Sequence, residues 1–85
     1  MSKLIENYIK QIDKDDIYNF ALKNGIELGY DDVDVLFYYL KNKWQLIYKD
    51  KDKLIDEICN MLDENLSLKI KKLFYFYLDK YQNYL

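Results

Sequence analysis

Apolar residues recur every three or four positions along almost the whole chain, the spacing of helices that each bury one face. Leu4, Ile5, Tyr8, Ile9 and Ile12 define a first helix. Ser2 is available as its cap, and Glu6 and Lys10 form an i,i+4 pair on the opposite face. Asp13-Lys14-Asp15-Asp16 reads as the entry to a second helix, because carboxylates there accept free backbone N–H groups and suit the positive end of the dipole. That helix carries Ile17, Phe20 and Ala21 on one side and Tyr18 and Leu22 on another. Asn24-Gly25 stops it, with Gly25 in the left-handed conformation and Ile26 where an apolar cap contact falls.

Ile26 to Gly29 is a short extended link, and Tyr30-Asp31-Asp32 opens the third and most apolar helix. Its stripe is Val33, Leu36, Phe37, Leu40 and Trp44; Val35 and Tyr39 lie off the stripe, which predicts a central helix with neighbours on two sides. Leu46-Ile47-Tyr48 is too apolar for an ordinary loop and is expected to tuck against the core. Asp50 or Asp52 caps a fourth helix bearing Leu54, Ile55, Ile58, Met61 and Leu62. Asn65 is the expected cap of a fifth, whose face is Leu66, Ile70, Leu73, Phe74, Tyr77 and Tyr81, continued by Tyr84 and Leu85. The resulting fold class is all-α, a compact orthogonal array of about five short helices in a single domain over residues 1–85.

Composition changes the picture mainly by removing chemistry. The chain has no His, Arg or Pro, but ten Tyr and four Phe. Without His, no side chain titrates near neutrality at its ordinary pKa, and neither a Ser-His-Asp nor a Cys-His arrangement can be built. Cys59 is the only cysteine, which excludes an internal disulfide and a CxxC metal site. Its neighbours Ile58, Met61 and Leu62 suit a small core residue better than a nucleophile. Gly25 and Gly29 precede no phosphate-loop motif. Paired carboxylates are the one catalytic option left: Asp13/Asp15/Asp16, Asp31/Asp32/Asp34 and Asp56/Glu57. The first two groups sit at helix starts, where acids cap, and the second lacks the spaced ligands and central glycine of a calcium loop. The expectation is a protein that is not an enzyme and takes no cofactor and no metal.

No apolar run approaches the length that spans a bilayer, and the first residues turn polar too soon for a signal peptide. Together with the thiol usage this predicts a cytoplasmic protein without a membrane partner. Net charge is −2, unevenly placed: residues 1–40 carry four Lys against eight acids, residues 41–85 nine Lys against seven. An AT-rich coding sequence would give the same Lys, Asn, Ile and Tyr bias, so the tyrosine excess by itself assigns no role.

Binding is therefore where function is sought. On the fifth helix, Tyr75 and Phe76 fall outside the core stripe, and rings directed at water make good anchors for a partner. The competing reading is that they pack against neighbouring elements such as Leu46-Ile47-Tyr48. By helical angle Lys69, Lys72 and Lys80 surround Phe76, a basic rim that could hold a phosphate backbone while the ring stacks a base. A second group of cations is Lys41, Lys43, Lys49, Lys51 and Lys53. Against nucleic acid stand the acidic total, the lack of Arg, and Asp50, Asp52 and Asp79 close by. The first expectation is thus a protein-interaction module binding another protein or itself as a homodimer, through Tyr75, Phe76, Lys69, Lys72 and Lys80. A small RNA- or DNA-associated regulator comes second, and a phage or plasmid inhibitor acting by protein binding third.

Several runs resemble known families. Leu4-Ile5-Glu6-Asn7, Asp16-Ile17, Gly25-Ile26-Glu27-Leu28, Leu40-Lys41-Asn42-Lys43 with Ile47-Tyr48, Glu57-Ile58 and Ile70-Lys71-Lys72-Leu73-Phe74 are similar to a short helical family of low-GC Gram-positive bacteria, the YqfT type. That resemblance covers the chain and implies an all-helical fold in a bacterial cytoplasm, with no activity attached. Leu28-Gly29-Tyr30-Asp31, the run from Leu40 to Lys43-Trp44, and Leu66-Ser67-Leu68-Lys69 look like elements of the ComN-type post-transcriptional regulators. Asp16 to Leu40 resembles the helix-extended-helix pattern of SAP-type modules, some of which bind nucleic acid, here without the basic residues that would require.

Overall fold

Six helices succeed one another with short links in a computed structural model that describes residues 2–81, leaving aside the side chains of Ser2, Leu4, Ile5 and Tyr81. They are α1 (Ser2–Gln11), α2 (Lys14–Lys23), α3 (Tyr30–Asn42), α4 (Leu46–Lys49), α5 (Lys51–Asn60) and α6 (Glu64–Tyr81). The protein is all-α as expected, and its 32 × 24 × 22 Å extents are those of a globule, not a long coiled coil. The sixth helix arises because Leu46-Ile47-Tyr48 forms a turn of its own, α4, whose Leu46 and Ile47 lie on the core. The expected roles of Ser2, Leu4, Ile5, Tyr81, Tyr84 and Leu85 fall on side chains outside the described set.

The helix ends are set by local chemistry. Asp13 caps α2 in a reciprocal box: the Asp16 N–H donates to Asp13 Oδ1 (2.9 Å) and the Asp13 N–H to Asp16 Oδ2 (3.0 Å). At the other end the Gly25 N–H reaches the Leu22 carbonyl (3.0 Å) and the Ile26 N–H the Ala21 carbonyl (2.9 Å). Gly25 takes a φ of +78°, so this is a Schellman closure, and Ile26 and Ala21 are buried together in the same cluster. Asp32 turns back to accept the Gly29 N–H at the start of α3 (2.9 Å). Asp50, not Asp52, caps α5 by accepting the Lys53 N–H (3.1 Å). For α6 the cap is Asp63, which accepts the Leu66 N–H at 2.8 Å, two residues before the expected Asn65.

One core joins these elements. Ile17 and Ala21 of α2, Ile26 and Leu28 of the link, Val33 of α3, Leu54, Ile55 and Ile58 of α5, and Leu66 and Ile70 of α6 form it. Ile55 is its centre, at 0% exposure. α3 packs on α1, α2 and α5, the central position that Val35 and Tyr39 foretold, while α5 packs on α3, α4 and α6. Two apolar residues leave their predicted stripes because the helices stop short of them. Trp44 lies past the end of α3 and sets its ring edge-on to Tyr48 at 6.0 Å. Met61 lies past α5 and is 61% exposed.

Among the described residues, side-chain hydrogen bonds to backbone tie helices to one another at two places. Lys41 of α3 donates from Nζ to the carbonyls of Ile9 (2.7 Å) and Lys10 (2.8 Å), laying a cation on the C-terminal end of α1. Ser67 of α6 donates from Oγ to the Cys59 carbonyl of α5 (2.9 Å), and the Cys59 thiol points back at the Ser67 carbonyl (3.6 Å).

Candidate functional site

Four of the candidate carboxylates are engaged in structure. Asp13, Asp16 and Asp32 are caps, and Asp34 pairs with Lys14 at 2.8 Å. Among the described residues no three His, Cys, Asp or Glu side chains converge to hold a metal ion. Burial pushes the Cys59 thiol above its ordinary pKa, and its contact with Ser67 offsets only part of that rise. A thiol so placed is a poor nucleophile.

The long α6 carries the site that stands out. Leu66 and Ile70 turn inward, and Leu73 and Phe74 lie half-buried against the core. Rotating about the helix, Leu68, Lys72 and Phe76 succeed one another at four-residue steps on the outer surface. Leu68 is 57% exposed and Phe76 61% exposed. With Lys71, Tyr75 and Asp79 they line a shallow open groove of about 480 Å³.

Tyr75 does not stand free in water as the helical angle suggested. Its ring is half-buried on the core and edge-on to Phe74 at 5.5 Å, and its hydroxyl donates to Asp52 in the first turn of α5. Packing against a neighbouring element is thus the correct reading for Tyr75, although the neighbour is α5 and not the 46–48 segment. Asp52 is available for this contact because Asp50 performs the capping.

Phe76 is exposed as expected, and its ring meets Tyr77 edge-on at 5.2 Å. The predicted ring of cations around it is only partly present. Lys72 borders the groove together with Lys71. Lys69 is exposed and outside the groove, and Lys80 places Nζ 5.9 Å from the centre of the Tyr77 ring. Leu68 was missed, although it lies two four-residue steps before Phe76 and the same angular count would have found it.

The hydrogen bond to Asp52 has a pH signature. It is the main reason that the Tyr75 phenol is pushed up from 10.0 to about 12, with desolvation and the charges of Asp52 and Asp56 adding to it. The unfolded chain therefore ionises this phenol at lower pH than the folded one. The contact's stabilisation is complete below about pH 10 and is lost as pH climbs through about 12. Tyr75→Phe is expected to lower the urea midpoint at pH 8, with the gap to the parent closing across that alkaline window. A gap of unchanged size at the top of the window would contradict the assignment.

A second concavity, of about 430 Å³, lies between α1 and α2, lined by Tyr8, Gln11, Ile12, Asp16, Asn19, Phe20 and Lys23. Its lining includes the capping carboxylate Asp16, already committed to the backbone. Of the second cationic group, Lys41 is spent on the α1 carbonyls and rests 5.4 Å from the Phe37 ring centre, so it is no longer a surface charge for phosphate. Among the described residues no helix is long and apolar enough to cross a membrane. Comparison with protein-family models, with curated proteins and with solved structures found no match. The likenesses to the YqfT and ComN types rest on the residues quoted for them alone.

Proposed function

We propose that this chain is a non-enzymatic helical interaction module that recognises a polypeptide through the outer face of α6. The observation that carries the reading is the Leu68–Phe76 ridge: two large apolar side chains, both more than half exposed, beside an open groove with Lys71, Lys72 and Asp79 at its edge. Exposed aromatic anchors bordered by charge are the composition of binding hot spots and their rims. The helix beneath is anchored to the rest of the fold, since Tyr75, Leu73 and Phe74 hold it on the core and Ser67 ties it to α5. Loss of Lys41 from the cationic surface weighs against phosphate recognition.

The test is photo-crosslinking in the native host. A photoreactive phenylalanine analogue in place of Phe76 is expected to capture a polypeptide. The same group at Tyr30, which is 92% exposed at the start of α3, serves as the control and is expected to capture none. Equal labelling from the two positions, or none from position 76, defeats the proposal.

A further inference from the structure

We infer that the polypeptide seated on the outer face of α6 is a second copy of this chain, crossing antiparallel about a two-fold axis between positions 75 and 76. The inference rests on the reading of that face as a docking surface and goes further by naming the occupant. The groove carries its own complement. Lys72 and Asp79 both line it, and among the described residues neither makes an ion pair. They lie seven residues apart, about 10 Å along a helix, too far to neutralise each other within one chain.

Reversing a second α6 over the first about that axis sets Lys72 of each copy opposite Asp79 of the other. It sets each Phe76 on the other copy's Tyr75. One operation thereby pairs both charges twice and covers the exposed ring twice, which is what a self-complementary two-fold contact requires. The receiving Tyr75 ring is already fixed by its hydroxyl bond to Asp52 and by Phe74, so little side-chain freedom is lost when Phe76 lands on it. A uniformly acidic partner helix would satisfy Lys71 and Lys72 but would meet Asp79 with like charge. An apolar one would leave both charges unpaired.

Sedimentation equilibrium up to millimolar concentration tests this with Lys72→Glu and Asp79→Lys, both exposed positions within α6 where Glu and Lys are good helix formers. The parent is expected to self-associate. Each single variant turns two attractions into two repulsions and is expected to weaken association about tenfold. Both the equimolar mixture of the two variants and the double variant should return to the parental constant, with circular dichroism unchanged throughout. A parent that stays monomeric overturns the inference. So does a parent dimer indifferent to the single changes, or one that neither mixing nor the double variant restores. If the chain is monomeric while position 76 crosslinks a different polypeptide, self-recognition fails and the docking surface stands. If it is monomeric and nothing is captured, both fail.

Discussion

Ile55→Ala is expected to remove about 3–4 kcal/mol of stability. Ile55 is wholly excluded from solvent in α5, the helix that joins α3, α4 and α6. The change deletes three carbons, worth about 0.8 kcal/mol each by transfer, and the cavity left behind adds to that because close-packed neighbours relax only in part. An 85-residue domain commands roughly 4–13 kcal/mol in total, so the variant is expected to lose about a quarter or more of what it has. Urea unfolding checks it: the midpoint should fall while the slope stays constant. Met61→Ala is the matched control. Spacing puts Met61 on the same stripe, but it is mostly exposed beyond the end of α5, and its truncation should change stability by less than about 0.5 kcal/mol. Comparable losses from the two would contradict the packing described.

Lys41→Met is expected to act locally, releasing α1. The substitution keeps an unbranched stem near Phe37 and removes only the ammonium that binds the Ile9 and Lys10 carbonyls. A cation on two carbonyls at a helix C-terminus contributes about 1–2 kcal/mol when partly shielded. α3 is the only helix against which α1 packs among the described residues, with Ile9 its buried side chain. Hydrogen exchange should therefore show α1 amides losing protection by roughly five- to thirty-fold, with α5 and α6 amides much less affected. A uniform loss across all helices would mean that the lysine acts through the whole core instead.

What the sequence disclosed, and what it withheld, divides by distance along the chain. Asp13 and Gly25 were readable because a cap forms within three to five residues of itself, and the side-chain chemistry alone selects the geometry. Asp63 was overlooked in favour of Asn65, although a carboxylate on the free N–H groups of a helix start is the stronger acceptor. Trp44 and Met61 were misplaced because apolar spacing continues past the true helix ends, and periodicity says nothing of where a helix stops. The contacts of Lys41 and Tyr75 lay out of reach for a different reason. Their partners lie 31, 32 and 23 residues away, so a cation counted as surface is a tether, and of the two readings open for the Tyr75 ring only the fold selects the brace on α5. Phe76 was legible because exposure of one helix face is still a local, angular property.

The packing order of the helices bears on how quickly the chain reaches its native state. Among the described residues every helix pair that packs consists of sequence neighbours or next-but-one neighbours, while α2 and α6 touch through the Phe20 and Tyr77 rings at 5.2 Å. Little loop entropy must be surrendered before each contact is rewarded, which places such a topology among the fast folders, on the order of microseconds to milliseconds. Of the ring pairs, Phe20 with Tyr77 closes the longest stretch of chain, and it is the one expected to form last.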